Sequence, residues 1–397
     1  MRIKPYLIVP KVIEQPTWGG SYISEMKNLH NAEIISRKIG QSYELFEHST
    51  VWEGETTDND NMPLEFGYAM DTDKVVRLGS FDRTMSLESL VLHDAKGTLG
   101  EIPLKKFGPK IATLIKLTQA KGNSYQLHVR PEDKNDRWIP KPESWYYFGK
   151  GKITLGVKKD IDWDAYKKTC EDIDARAKEL SCQVHGKRMD VSEAKKQLET
   201  YVKAKNPEQF VNLLYVNDGD IVDPSNGGIH HSWEEGPELP LGNILYEVQL
   251  NSYDPVSTIR NYDKGKMGND GSIREVQVED YFAFIDRSED ANNPQRMIRR
   301  PTVIEEHQGV RLSQIFSNDA YAMQGFSFSK KTEAKQEWTR CGQSFHHLFV
   351  RSGSCTVKTL DGPLFVTRGF SVFVPAGVGS YVIESTPGSE ILKTYIA

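Results

Sequence analysis

The side chains that could act together in metal binding or catalysis lie in three separate segments of the chain. Gln126 and His128 alternate along a stretch typical of a β-strand, where alternate side chains point to the same face. Glu143 follows a loop, and His230 and His231 end a glycine-rich turn. A glutamine oxygen, imidazole nitrogens and a carboxylate form a mixed ligand set for a divalent metal. Together these segments predict a metal site, whereas His128 taken alone would be an ordinary polar residue of a half-buried strand.

The elements that must position these residues are mainly β-strands. Short apolar runs separated by Gly, Asn, Asp and Pro follow residue 207 and return from about residue 295, at intervals typical of a sandwich or barrel. From residue 160 to 207, apolar residues recur at the spacing of an amphipathic helix. These residues are Trp163, Tyr166, Cys170, Ile173 and Ala177. A second helix is predicted to begin near Asp190 and to run towards Lys205. The pattern indicates two similar β units, one of them interrupted by a helical insert.

Composition narrows the class of protein. The chain has 397 residues, of which 38% are hydrophobic and 26% charged, as expected of a globular protein with sizeable cores. A net charge of -5 without a basic block argues against binding to nucleic-acid backbones. The four cysteines, Cys170, Cys182, Cys341 and Cys355, form no CxxC motif, which indicates reduced thiols. With no signal-peptide pattern and no apolar run long enough to span a membrane, a cytoplasmic location is expected.

Several motifs, taken in chain order, resemble the type I mannose-6-phosphate isomerase family. They are PTWGG (16–20), IGQSYE (39–44), LIKL (114–117), NSYQLH (123–128), KPESWYY (141–147), GD (219–220) with PSNGGIH (224–230), YEVQ (246–249) with TIRNYD (258–263), and SIREV (272–276). RGFSVFVPAGVG (368–379) resembles the second cupin barrel of that family. The joint order of these motifs over nearly the whole chain, rather than any single motif, carries the resemblance.

The resemblance implies a mainly β fold of two cupin domains, each a double-stranded β-helix or jelly roll. A catalytic cupin would span residues 1–290, including the helical segment at about 160–207, and a C-terminal cupin without metal would span 291–397. It also implies one zinc ion per chain, held by Gln126, His128, Glu143 and a histidine of the turn at 228–231. Alignment on the glycines of that turn favours His230 over His231.

The activity implied is aldose–ketose isomerisation between mannose 6-phosphate and fructose 6-phosphate, or a related hexose, through a cis-enediol. A metal polarises the reacting oxygens and a nearby cation stabilises the developing charge. Arg260 matches the family's arginine and is the candidate cation. Lys116, on an apolar strand, would either contact substrate oxygens or extend its ammonium to solvent. Glu247, like Glu44, could orient a ligand histidine, carry a proton or be an exposed strand residue.

Two departures from the family pattern lie beside the predicted site. Val129 and Arg130 intervene before Pro131, where the family continues directly into proline, and the segment 252–257 before Arg260 is expanded. These departures bear on substrate choice more than on the fold. In the C-terminal unit, the turn at 375–379 has no histidine, so His346 is predicted to be structural, as is its neighbour His347.

Two other function classes stay open. One is a non-catalytic or regulatory sugar-binding bicupin that keeps the metal pocket, and the other is a metal oxygenase on the same fold. The expected partner is a small sugar or sugar phosphate, with no nucleic acid and no membrane, in a monomer or homodimer.

Overall fold

The computed structural model describes residues 3–16, 18–56, 62–68, 71–122, 124–225, 227–231, 234, 236–250, 254–337 and 343–397. The α-helices are α1 (Tyr22–Met26), α2 (Ala32–Ile35), α3 (Leu87–His93), α4 (Ala95–Leu99), α5 (Glu101–Phe107), α6 (Trp163–His185), α7 (Val191–Lys205), α8 (Asp254–Ser257), α9 (Val278–Phe284) and α10 (Pro294–Met297).

The strands up to residue 222 are β1 (Tyr6–Ile8), β2 (Lys11–Glu14), β3 (Ile39–Leu45), β4 (Thr50–Trp52), β5 (Leu64–Tyr68), β6 (Asp71–Leu78), β7 (Thr84–Ser86), β8 (Thr113–Ala120), β9 (Tyr125–Leu127), β10 (Glu143–Tyr147), β11 (Gly151–Val157), β12 (Val211–Val216) and β13 (Ile221–Val222). The later strands are β14 (His230–His231), β15 (Asn243–Leu250), β16 (Ile259–Tyr262), β17 (Ile298–Arg299), β18 (Thr302–His307), β19 (Val310–Ser317), β20 (Ala322–Phe328), β21 (Thr332–Glu337), β22 (His346–Ser352), β23 (Ser354–Thr359), β24 (Gly362–Thr367), β25 (Ser371–Val374), β26 (Ser380–Ser385) and β27 (Glu390–Tyr395).

The chain forms two compact units. The first unit contains Met1–Gln119, Leu245–Asn251 and Arg300–Ala397, and the second contains Ala120–Ile244 and Ser252–Arg299. The predicted mainly β fold is confirmed, since strands dominate the first unit and outnumber helices along the described chain. The predicted domain boundary near residue 290 stays a prediction, because compactness does not show which segments fold by themselves.

The first unit is a stack of β-sheets. One sheet runs in the order β18-β19-β20-β27-β22-β25-β1-β4-β7, and a four-stranded sheet runs β21-β26-β23-β24. A further run of neighbouring strands is β15-β8-β3-β2-β5-β6. The apolar faces of the first two sheets meet in one core, which includes Phe326, Leu348 and Val372 from one sheet and Val357 and Ile383 from the other. Alternate side chains along each strand therefore fill the interior of a barrel, named the C-terminal barrel because most of its strands lie between residues 302 and 395.

The two ends of the chain meet in this unit. Strand β1 pairs antiparallel with β25 on one side, with Tyr6 opposite Phe373, and with β4 on the other. Leu7 and Val9 join the same core as Leu348. Residues 6–9 are therefore part of the C-terminal barrel's sheet and core.

The second unit carries a five-stranded sheet in the order β12-β11-β14-β9-β16 and the run β17-β13-β10. Its core joins the strand residues Leu127, Val157 and Ile259 to Tyr166 of α6 and Tyr281 of α9. Burial of these side chains fixes the helices against the sheet.

The predicted helical insert is confirmed as α6 and α7. Asp162 caps α6 by accepting from the amides of Asp164 and Ala165, and Asp190 caps α7 through the amide of Ser192. A left-handed Asn206 ends α7, as is common at helix C-termini. Within the part of the chain that the structure describes, no helix is both long and apolar enough to cross a membrane.

Some residues named by the sequence analysis lie outside the described residues. They are Thr17, Asn123, Asn226, Ser252, Tyr253 and Cys341. Of the other cysteines, Cys170, Cys182 and Cys355 are free thiols.

Candidate functional site

Three adjacent strands of the second unit bring predicted site residues into one row. Gln126 on β9 lies directly opposite His230 on β14 and, on its other side, opposite Arg260 on β16. Residues directly opposite on paired strands project from the same face of the sheet. Three separate segments of the chain therefore place an amide, an imidazole and a guanidinium side by side.

His128 follows β9 and is held by two contacts. Its Nδ1 lies 2.7 Å from the carbonyl oxygen of Ser257, and its Nε2 lies 3.1 Å from Oε2 of Glu143. The side chain is 1% exposed. Because a carbonyl oxygen only accepts, Nδ1 carries the proton in that contact. In the neutral ring, Nε2 then has a free lone pair that faces a carboxylate oxygen, an arrangement that a proton or a metal cation between them would stabilise.

Glu143 begins β10 and is surrounded by donors. Lys141 Nζ lies 3.0 Å from Oε2, and Trp145 Nε1 donates to Oε1 at 2.5 Å. Ser225 exchanges hydrogen bonds with the backbone amide and carbonyl of Glu143 at 3.1 Å each. The carboxylate is therefore both oriented and charge-balanced in a buried position.

Lys141 is a site residue that the sequence analysis did not select. It is 5% exposed and pairs with the predicted ligand Glu143. The available signal was its position two residues before Glu143, since alternate residues of an extended segment share a face.

The neighbours His230 and His231 point to different surroundings. The ring centroid of His230 lies 4.7 Å from that of His128 and 5.3 Å from Trp145. His231 Nδ1 instead lies 3.0 Å from Oε1 of Glu234. The structure thus brings His230, and not His231, to the other predicted ligands. Burial, with a contribution from His128, holds the pKa of His230 well below its ordinary value, so the ring is neutral.

A buried charge network lies behind His231. Glu234 accepts from Lys264 Nζ at 2.9 Å, and Lys264 also pairs with Glu208 at 2.7 Å. Thr154, which lies opposite His231 on β11, donates to Glu234 as well. Burial alone would raise the pKa of Glu234, but His231 and Lys264 hold it well below its ordinary value. No pattern in the sequence indicated this network, because its members come from four distant segments.

Arg260 is half-buried and anchored at both ends. Its backbone amide donates to Gln277 Oε1 at 3.1 Å, and its guanidinium Nε donates to Ser124 Oγ at 3.2 Å. The guanidinium is therefore held on the same face as Gln126 and His230.

Lys116 and Glu247 lie together in the first unit. Lys116 Nζ is 3.0 Å from Oε1 of Glu247, and their side chains are 12% and 3% exposed. Of the two alternatives for Lys116, the structure shows a largely buried ammonium with a carboxylate partner. Glu44, by contrast, pairs with the buried Lys27 at 2.7 Å and accepts from Ser371 at 2.8 Å.

The donor types of this site fit a zinc ion. Two imidazoles, a carboxylate and an amide oxygen are ligands that Zn²⁺ accepts. His230 Nε2 is buried and has no hydrogen-bond partner in the described structure. Among the described residues, no three His, Cys, Asp or Glu side chains are grouped as a metal site. His128 contacts Glu143 through a hydrogen bond and His230 through its ring. The fit of these residues to a zinc ion therefore depends on their donor types and on the unpartnered Nε2 of His230.

Comparison with known proteins shows the fold. No family model matches the sequence. No curated protein matches it either. Among solved structures, the chain is similar to the mannose 6-phosphate isomerase from Bacillus subtilis, with a TM-score of 0.64 and 16% identity over 98% of this chain and 99% of that one. It is also similar to the mannose 6-phosphate isomerase from Salmonella typhimurium bound to its substrate f6p and zinc, with a TM-score of 0.65 and 13% identity over 99% of each chain. These likenesses confirm the predicted cupin-like architecture.

Proposed function

We propose that the protein is a zinc-dependent aldose–ketose isomerase that acts on a hexose or hexose phosphate. Mannose 6-phosphate and fructose 6-phosphate are the first pair to test. The observation that carries this proposal is the row formed by Gln126, His230 and Arg260 on three adjacent strands. That row sets two metal-ligand types beside a cation. The similarity to an isomerase solved with f6p and zinc supports the same reaction class.

Four side chains would hold the ion: Gln126, His128, Glu143 and His230. A bound Zn²⁺ would polarise the carbonyl and hydroxyl oxygens of the sugar and stabilise an enediolate. The carbonyl of Ser257 orients His128 through Nδ1, which leaves Nε2 for the ion.

The chain's own charges would act on the substrate. Arg260 presents a fixed guanidinium to a developing oxyanion, and such preorganised donors are worth several kcal/mol. Lys116 and Glu247 pair with each other in the first unit, and their catalytic role stays a prediction. Their Nζ and Oε1 atoms are 3.0 Å apart, close enough to pass a proton directly.

A sugar-binding protein without turnover is the second candidate. One observation favours it, namely that the Lys141 ammonium already neutralises Glu143. The buried carboxylate therefore has a counter-charge even without a metal ion, and the pocket could bind a sugar by hydrogen bonds alone.

The deciding experiment is a panel of mannose, mannose 6-phosphate, glucose 6-phosphate and fructose 6-phosphate in D₂O with zinc-loaded protein. The isomerase proposal expects interconversion of one aldose–ketose pair, with deuterium entering at C2. Saturable binding of a sugar without deuterium incorporation would instead establish the second candidate. Iron in the purified protein together with oxygen uptake would contradict both and indicate an oxygenase.

Metal analysis of histidine variants tests the ligand set. His128→Ala and His230→Ala are each expected to lose bound zinc and activity, because each removes an imidazole from the proposed site. The matched control is His231→Gln, which is expected to retain zinc, since His231 faces Glu234. Zinc retained by His128→Ala, or lost only in His231→Gln, would show that the ligands are assigned wrongly.

A further inference from the structure

A polar cluster lies inside the C-terminal barrel of the first unit, where the rest of the core is apolar. Lys393 on β27 lies opposite Leu348 of β22, which belongs to the barrel core. Around Lys393 are His346 from β22, Tyr381 from β26, Gln336 from β21 and Tyr395 from its own strand. Gln336 and Tyr395 are half-buried, so the cluster reaches the surface at one end of the barrel.

The contacts of Lys393 are to neutral groups. Its Nζ donates to Gln336 Oε1 at 2.7 Å and lies 5.4 Å from the ring centroids of both Phe326 and Tyr395. The residue is 7% exposed. His346 packs against the same Tyr395 ring, at 5.6 Å between centroids, and its Nδ1 lies 2.6 Å from Tyr381 Oη. The ammonium and the His346–Tyr381 pair thus flank one aromatic ring.

Lys393 differs from the other buried lysines of the described chain. Lys27 pairs with Glu44 at 2.7 Å, and Lys141 pairs with Glu143 at 3.0 Å. Within the described residues, no carboxylate pairs with Lys393, and burial alone lowers its pKa to about 8. A buried ammonium without a counter-ion is costly, and proteins normally balance one with a negative charge.

We propose that this end of the C-terminal barrel binds a small oxyanion, a carboxylate or a phosphate group, whose negative charge pairs with Lys393. The His346–Tyr381 pair supplies neighbouring hydrogen-bonding groups, and the Tyr395 and Phe326 rings form the walls. The site is separate from the proposed isomerase function and does not depend on it. A bound anion supplies the counter-charge that the described residues around Lys393 do not provide, and it stabilises the protonated lysine.

Calorimetric titration of the full-length protein with inorganic phosphate, and separately with acetate, tests the proposal at pH 7. Lys393→Met keeps the length of the side chain and removes its charge. The wild type is expected to show a binding event that Lys393→Met lacks or shows at least about tenfold weaker. The matched control is Lys358→Met in the same barrel, because Lys358 already pairs with Glu333 and Glu384. That control is expected to bind as the wild type does.

The pH profile gives a second readout. The groups facing Lys393 that titrate are His346, Tyr381 and Tyr395, while β20 and β21 contribute Phe326 and Gln336. Affinity in the wild type is expected to fall as the pH rises from 7 to 9, because the free lysine loses its proton near pH 8. Tyr381→Phe, which keeps the ring and removes the hydroxyl, is expected to weaken binding several-fold and provides a second variant should Lys393→Met fold poorly.

Identical isotherms for the wild type and Lys393→Met would overturn the proposal, as would an equal loss in Lys358→Met. The relative affinities of phosphate and acetate then tell which oxyanion chemistry the barrel prefers.

Discussion

His128 shows how one hydrogen bond can decide what a residue is able to do. Nδ1 donates a hydrogen bond to the carbonyl oxygen of Ser257, so Nε2 is the nitrogen that faces Glu143, and the ring of His230 lies 4.7 Å away between centroids. Metal-binding histidines are typically fixed in this way by a carbonyl or carboxylate on the far nitrogen. The same contact also limits how far the imidazole can rotate, which is what a preorganised ligand needs.

A substitution of Arg260 is expected to lower turnover without any loss of bound zinc. Arg260→Ala removes the guanidinium but no proposed ligand, so zinc content and fold should be unchanged. If the guanidinium stabilises an oxyanion, kcat should fall by about 10²–10³-fold on the isomerised sugar. Zinc analysis and steady-state kinetics on the same preparation make the comparison.

Arg260→Lys is the control for charge. It keeps the positive charge but cannot reproduce the guanidinium that donates to Ser124. A partial recovery of kcat is expected. An unchanged kcat in Arg260→Ala would show that the guanidinium has no part in turnover.

Period-two alternation placed Gln126 and His128 on one face, and the family resemblance implied Glu143 and a histidine of the glycine-rich turn as further ligands. Lys141 was within reach of the same argument, since it stands two residues before Glu143. Alignment on the glycines favoured His230 over His231. Alternation could not choose between them, because neighbouring strand residues face opposite sides and only the pairing of β14 with β9 shows which side each one faces.

Among the elements, β14 is the shortest strand that carries a proposed ligand. Its two residues pair with β11 on one side, where Thr154 lies opposite His231, and with β9 on the other. Such a short strand has few hydrogen bonds of its own. His231 contacts Glu234, which in turn contacts Thr154 and Lys264, and these contacts tie this strand to β11 and to the loop after β16. The network therefore fixes the strand on which His230 projects.

Glu234 is expected to make stability depend on acid. Its pKa is lowered in the folded protein, below the ordinary value of 4.5. A carboxyl group with a depressed folded pKa stabilises the protein above its unfolded pKa, and this contribution is lost as the pH falls below about 4.5. Glu234→Gln removes the charge, and breaking such a buried pair is expected to cost about 3 kcal/mol at pH 7. Urea denaturation at pH 7 and at pH 3.5 measures both effects.

The matched control is Glu289→Gln in the same unit, because the side chain of Glu289 is 74% exposed. It should leave stability within about 0.5 kcal/mol of the wild type at both pH values. If the gap between wild type and Glu234→Gln does not narrow at pH 3.5, the charge of Glu234 is not what stabilises the network.

At the scale of the whole molecule, strands from the first part of the chain and from its last hundred residues share one sheet. Strand β1 lies between β25 and β4, so the sheet of the C-terminal barrel is continued by N-terminal strands. The sequence predicted two β units and the helical insert, because periodicity is local. It could not predict that residues 6–8 pair with 371–374, since strand pairing over such a separation leaves no local pattern.

The predicted C-terminal domain, residues 291–397, can be tested directly as a fragment. Without residues 1–52, β25 loses its partner β1, and the barrel core loses Leu7, Val9 and Trp52. An exposed strand edge beside an incomplete core favours aggregation over folding. We expect the fragment to show no cooperative thermal transition, in contrast to the full chain, as measured by circular dichroism.

Val9→Ala in the full chain is the matched point variant for the fragment. Val9 is 2% exposed within the barrel core, and its truncation is expected to cost about 1–3 kcal/mol of stability. A fragment that folds cooperatively, together with a Val9→Ala chain as stable as the wild type, would show that residues 291–397 form an independent domain. Failure of the fragment together with a destabilised Val9→Ala chain would place the N-terminal strands inside the folding unit of the C-terminal barrel, because both changes remove the same contacts from one core.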